Sequence, residues 1–159
     1  MFLIILAVVL TGAAAHVALR GGDRSRERVG EVVLLWTLVG YCGIPMLVVA
    51  GTILMHPHGT LEAFGFPPGN PIAGFFGWAY LGMALSATLA LRYRGAYLVA
   101  PALIWAIFFI GATFLHLAEG HSGGTHAGAL AIFAMHGLIS LILLGALLAS
   151  GAWRLPSSS

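Results

Sequence analysis

Ala96-Tyr-Leu-Val-Ala-Pro-Ala-Leu-Ile-Trp-Ala-Ile-Phe-Phe-Ile-Gly-Ala-Thr-Phe-Leu-His-Leu-Ala118 contains no Asp, Glu, Lys or Arg. Its apolar residues form a continuous run, with no alternating or heptad pattern. At 1.5 Å per residue, about 20 such residues cover the roughly 30 Å hydrocarbon layer of a bilayer. The segment therefore reads as a membrane-spanning helix. Four more stretches read the same way, giving spans at Phe2–Leu19, Val29–Met55, Ile72–Leu91, Ala96–Ala118 and Gly128–Trp153. The expected fold is all-α: a polytopic transmembrane helix bundle of five spans, forming a single domain over residues 1–159.

Composition agrees. Of 159 residues, 60% are apolar and 8% charged, against roughly 25% charged in a soluble domain. A water-soluble chain this short could not cover so much apolar surface. The net charge of +2 comes from seven Arg and no Lys, too few and too scattered for a nucleic-acid face. The single cysteine, Cys42, excludes an intrachain disulfide and any cysteine-based zinc or iron–sulfur site.

Local punctuation fits these spans. Asn70 caps the third, with Pro71 at its first helical position. Gly95 stands where a left-handed helix stop is wanted. Pro45, just after Gly40 and Gly43, predicts a kink in the second span, relieved by neighbouring helices. The short turn Tyr93–Gly95 makes the third and fourth spans antiparallel neighbours. Small residues four apart, Ala73/Gly77 and Gly145/Ala149, allow close helix approach. Trp78, Tyr93 and Trp153 fall near the ends of spans, where aromatic anchors sit.

Arginine sets the direction. Arg20, Arg24, Arg26 and Arg28 lie between the first two spans, Arg92 and Arg94 between the third and fourth, and Arg154 after the fifth. The other two connectors hold none. Positive residues stay cytoplasmic, which puts the N-terminus outside and the C-terminus inside. The first span is expected to be retained and not cleaved as a signal peptide, since its Arg follow the apolar stretch instead of preceding it. The Arg20–Arg28 loop reads as a topology anchor that touches anionic lipids.

This orientation gathers the chemistry on the outer side. His56, His58, Glu62, His116, Glu119, His121 and His126 lie in the outer loops or adjoining helix ends, and His136 about two turns into the fifth span. His16 stands apart, near the inner end of the first span. Imidazole and carboxylate together suit a transition metal such as copper or zinc, and His56, His58, His116 and Glu119 form the candidate metal set. No HExxH or CxxC signature supports it. His116 and His136 fall within the apolar slab, where a polar group is costly unless it faces the bundle interior or a cavity. With Glu62 from the neighbouring loop, they are the candidate ligand-binding residues. A haem held by two bundle histidines is a further reading. Ser86, Thr113 and Ser140 are read as helix-packing hydroxyls, and no nucleophile has a base at recognisable spacing.

The stretch Glu62-Ala-Phe-Gly-Phe-Pro-Pro-Gly-Asn-Pro71, the following span, Arg92-Tyr-Arg-Gly95 and the span ending in Phe114-Leu-His116 resemble the small bacterial DoxX-like membrane proteins. The chain looks closer still to an uncharacterised membrane family of similar size that begins with one span and an Arg/Glu-rich turn, like Arg24-Ser-Arg-Glu-Arg28. The resemblance implies a DoxX-like four-helix bundle plus an N-terminal span, in a bacterial cell membrane. By analogy it also implies a membrane redox system, with quinone as ligand and an oxidoreductase partner. The other readings are an outer-face metal-binding protein and a purely structural bundle; the partner expected in place of an oxidoreductase is a second copy of the chain, as a homo-oligomer.

Overall fold

The computed structural model describes residues 2–19, 24–57, 72–118 and 133–154, and the elements it describes are all helical. Helix α1 covers Phe2–Leu19. The second span begins at Arg26, ahead of its apolar run, because Ser25 caps it. The Ser25 hydroxyl accepts from the Arg28 amide at 3.3 Å, and Glu27 places a carboxylate at the positive end of the helix. The span runs as α2 (Arg26–Thr37), a wider π-helical stretch (Leu38–Gly43) and α3 (Ile44–Met55). Pro45 stands in the first turn of α3 and has no N–H to give. Just before it, the Ile44 amide reaches back five residues to the Val39 carbonyl. The irregularity expected at Pro45 takes the form of a π turn, one of the recognised ways a helix changes direction.

Helix α4 covers Ile72–Thr88 and tightens into a 3₁₀ turn at Leu89–Leu91. A second 3₁₀ turn, Gly95–Leu98, leads into α5 (Val99–Ala118). Gly95 has φ 63°, the left-handed conformation its position called for. A π-helical stretch, Phe133–Gly137, opens the last helix, α6 (Leu138–Ser150). Gly151, with φ 66°, stops α6 short of the expected Trp153. The expected caps Asn70 and Pro71, and the expected start at Gly128, lie outside the described residues.

Three helical units are long and apolar enough to cross a membrane: Arg26–Met55, Gly74–Leu91 and Gly95–Ala118. Two shorter apolar helices, Leu3–Leu19 and Met135–Ser150, accompany them. The most extensive contacts join α2 to α6 and α3 to α4, followed by α5 to α6 and α1 to α2. Glycine makes the first two possible. A Cβ on Gly30 would stand 2.5 Å from the Ser150 amide nitrogen, and one on Gly77 2.7 Å from a Leu54 methyl. Gly77 and Ala149 therefore lie at close helix approaches as expected, whereas Gly145 faces open space. Helices α4 and α5 are tied by hydrogen bonds: Trp105 Nε1 donates to the Met83 carbonyl at 3.1 Å, and the Tyr97 hydroxyl to that of Ser86 at 2.8 Å.

The core holds Leu34, Leu38, Leu98, Trp105, Ile139 and Leu143, all fully buried. The outer surface is just as apolar: Phe75, Trp78, Ile107 and Phe114 are each at least 66% exposed. Water would drive such a surface to aggregate, and lipid would not. The buried hydroxyls are satisfied by their own helices. Thr37 donates to Val33, Thr113 to Phe109 and Ser140 to His136, each to a carbonyl at 2.8–2.9 Å.

The arginines of three segments meet at one end. Arg28 and Arg94 line a common cavity, and Arg154 Nη1 lies 3.8 Å from Glu27. His116 lies at the far end of α5, roughly 30 Å from Gly95 at 1.5 Å per residue.

Candidate functional site

On α5, Trp105 and Phe109 are one helical turn apart and His116 two turns further, so the three share a face. Phe109 and His116 are separated by about 10 Å along the axis. Ala112 and Thr113 occupy the turn between them, and their small side chains leave a gap one ring deep. His136, from the π stretch before α6, fills it. Its ring centroid is 5.6 Å from that of Phe109, at 26° between planes, and 5.4 Å from that of His116, at 10°. Trp105 continues the series at 5.3 Å and 29° from Phe109. Four near-parallel rings, Trp105, Phe109, His136 and His116, thus form one column from the middle of the bundle to its histidine-bearing end. All the spacings fall within the range of favourable ring contacts.

The two π stretches hold this column in place. Tyr41, in the first, packs edge-on to Phe109 with centroids 6.0 Å apart. Its hydroxyl donates to the Met135 carbonyl, in the second, at 3.1 Å. Ser140 shares its hydroxyl between the His136 and Ala106 carbonyls, at 2.9 and 3.2 Å. A π turn offsets carbonyls from the regular ladder, and here side-chain donors take up carbonyls beside it. The ring of His136 is treated differently: Nδ1 is buried and has no hydrogen-bond partner. An orphaned polar atom costs about 1–3 kcal/mol. In a folded protein it calls for an explanation, such as a ligand or a chemical role.

The sequence placed His116 and His136 inside the bundle, and the structure stacks them on each other. Glu62, His58, Glu119, His121 and His126 lie outside the described residues. His56 caps the end of α3 and is exposed. Among the described residues, no group of three or more His, Cys, Asp or Glu comes together as a metal site would require. The wider histidine cluster is therefore not supported, and two rings already in contact leave no room for a haem between them. The Ser86, Thr113 and Ser140 hydroxyls bond helix carbonyls, in keeping with their expected packing role.

Sequence reasoning left His16 without a role. It is bonded to Trp36, whose Nε1 donates to His16 Nδ1 at 3.2 Å. The available signal was a histidine in one apolar span and an indole in the next, each needing a partner in a dry environment.

No curated protein and no solved structure matches the chain. Residues 1–157 match a family described as a family of unknown function, DUF6790. A DoxX-like relationship is not shown, while the resemblance to an uncharacterised family is. The five apolar helices, with the stacked His116 and His136, accordingly make up a protein that belongs to the family of unknown function DUF6790.

Proposed function

We propose that this protein is a membrane-embedded binding subunit that holds a flat, lipophilic, hydrogen-bonding molecule, of the quinone type, at the His116–His136 pair. Such a molecule offers an aromatic face to the ring column and a carbonyl or hydroxyl to an imidazole. The protein then serves as an accessory to a membrane redox system and does not catalyse a reaction by itself. The observation that carries this reading is the unpartnered His136 Nδ1 within a stack of rings. Glu62, which lies outside the described residues, is proposed as a ligand-binding residue from its place in the sequence alone. The N-terminus faces outward and the C-terminus the cytoplasm, as the gathering of Arg28, Arg94 and Arg154 at one end supports. The test is gentle purification followed by organic extraction. A bound quinone is expected with the native protein, reduced at least tenfold in His136→Phe, since a hydrogen bond and its alignment are lost. A native protein that carries no lipophilic ligand and brings down no oxidoreductase would sink the proposal. Elemental analysis of the same sample addresses the other reading, a metal held by His56, His58, His116 and Glu119.

A further inference from the structure

At the arginine-bearing end, α1, α2 and the turn before α5 enclose a cavity of about 250 Å³. Its polar lining is His16, Arg28, Glu31 and Arg94, and Val32, Leu35 and Trp36 supply the apolar wall. The opposite flank of the α1–α2 contact has a larger groove, of about 390 Å³, but apart from Arg24 its lining is apolar. Only the smaller cavity combines several donors with an aromatic wall.

The hydrogen-bond inventory of this cavity is unbalanced. Trp36 Nε1 donates to His16 Nδ1. An indole can only donate, so Nδ1 must accept, and a neutral His16 carries its hydrogen on Nε2. Nε2 is buried and has no partner. Arg28 is paired with Glu31 at 3.3 Å, and Glu27 is engaged by Arg154 at 3.8 Å. Arg94 has no acidic partner among the described residues. Two arginines against one glutamate leave a net charge of +1 on the lining. What the site lacks is an acceptor with negative charge. The volume corresponds to roughly eight waters at about 30 Å³ each, enough for a phosphate group and a short polar attachment. A guanidinium fork matches phosphate oxygens in pairs, and the Trp36 face and Leu35 suit the apolar part of an amphipathic molecule.

We infer that this cavity binds a phosphate group, with Arg94 and Arg28 as its cationic clamp and the His16–Trp36 pair as its inner wall. The chemistry is shared by an anionic phospholipid headgroup and by a free phosphate compound. It is independent of the quinone reading, because the two sites lie at opposite ends of the bundle.

The test uses the full chain in mild detergent, titrated with phosphatidylglycerol and, separately, with inorganic phosphate. Tryptophan emission and native mass spectrometry report binding. Saturable binding is expected, weakened about tenfold or more in Arg94→Gln by loss of a charge-assisted hydrogen bond. Arg92→Gln removes a charge from the same turn but not from the cavity, and is expected to bind normally. Trp36→Phe should silence the emission change, which ties that signal to the cavity wall. If phosphatidylglycerol binds and millimolar phosphate does not displace it, the source is a lipid headgroup; if phosphate alone saturates the site, the source is a soluble phosphate. Failure of both probes to saturate, or equal weakening by Arg92→Gln and Arg94→Gln, overturns the inference.

Discussion

Replacing His136 by Phe keeps a ring between Phe109 and His116 and removes the nitrogen that has no partner. The substitution is expected to stabilise the purified protein by about 1 kcal/mol, the lower end of the cost of an unsatisfied buried group. Thermal unfolding in detergent measures it. A higher midpoint together with lost ligand is the pattern of a residue kept for binding at the expense of stability. Tyr41→Phe should do the reverse. It strips the Met135 carbonyl of its donor and is expected to cost about 1 kcal/mol. At this scale the sequence was partly readable. The expense of an imidazole within an apolar run placed His116 and His136 inside the bundle. It said nothing of their partners, because stacking depends on Ala112 and Thr113 being small and on a π turn supplied by a different span. Trp36 and His16 escaped notice for a similar reason: neither position reveals the other until two helices are laid side by side.

Among the elements, the crossing of α2 and α6 is the tightest test of packing. Gly30→Leu puts a side chain where the Ala149–Ser150 backbone already lies. It should cost about 1–3 kcal/mol or more, as overpacking does, and a shift in unfolding midpoint reads it out. Gly95→Val meets open space but a left-handed backbone, so its expected cost of about 1–2 kcal/mol is purely conformational. If Gly95→Val left stability unchanged, the turn would have to adopt another shape. Gly95 could be read in advance because only a reversal joins two apolar runs across Arg92 and Arg94. The π stretches could not. Where every residue is apolar, a period of 3.6 and a locally wider one leave the same sequence pattern. Pro45 announces an irregularity without saying which kind. The close approach of Gly77 to Leu54 was visible as a small residue, whereas a Cβ added to Gly145, of the same type, would meet no other helix within 4 Å.

For the molecule as a whole, five apolar helices were legible because a lipid-facing surface needs no polar face; three of them are long enough to cross a membrane and two are shorter. Sidedness rests on arginine, and a direct test is available. Cys42 is fully buried, so the native chain should be silent to membrane-impermeant thiol reagents. Single cysteines at Arg94 and His56 are then expected to label from opposite sides of sealed vesicles. Labelling of both from one side would remove the basis for separating the two ends. The order of helix contacts also bears on biogenesis. Gly30 and Ala149 meet in the most extensive contact, although one belongs to an early helix and the other to the last. While the nascent chain is still leaving the ribosome, α2 enters the membrane with its glycine face uncovered and waits for a helix not yet translated. A chain arrested before Leu138 should therefore be a target for membrane proteases, and its survival would depend on whatever insertase or holdase shields that bare face in the meantime.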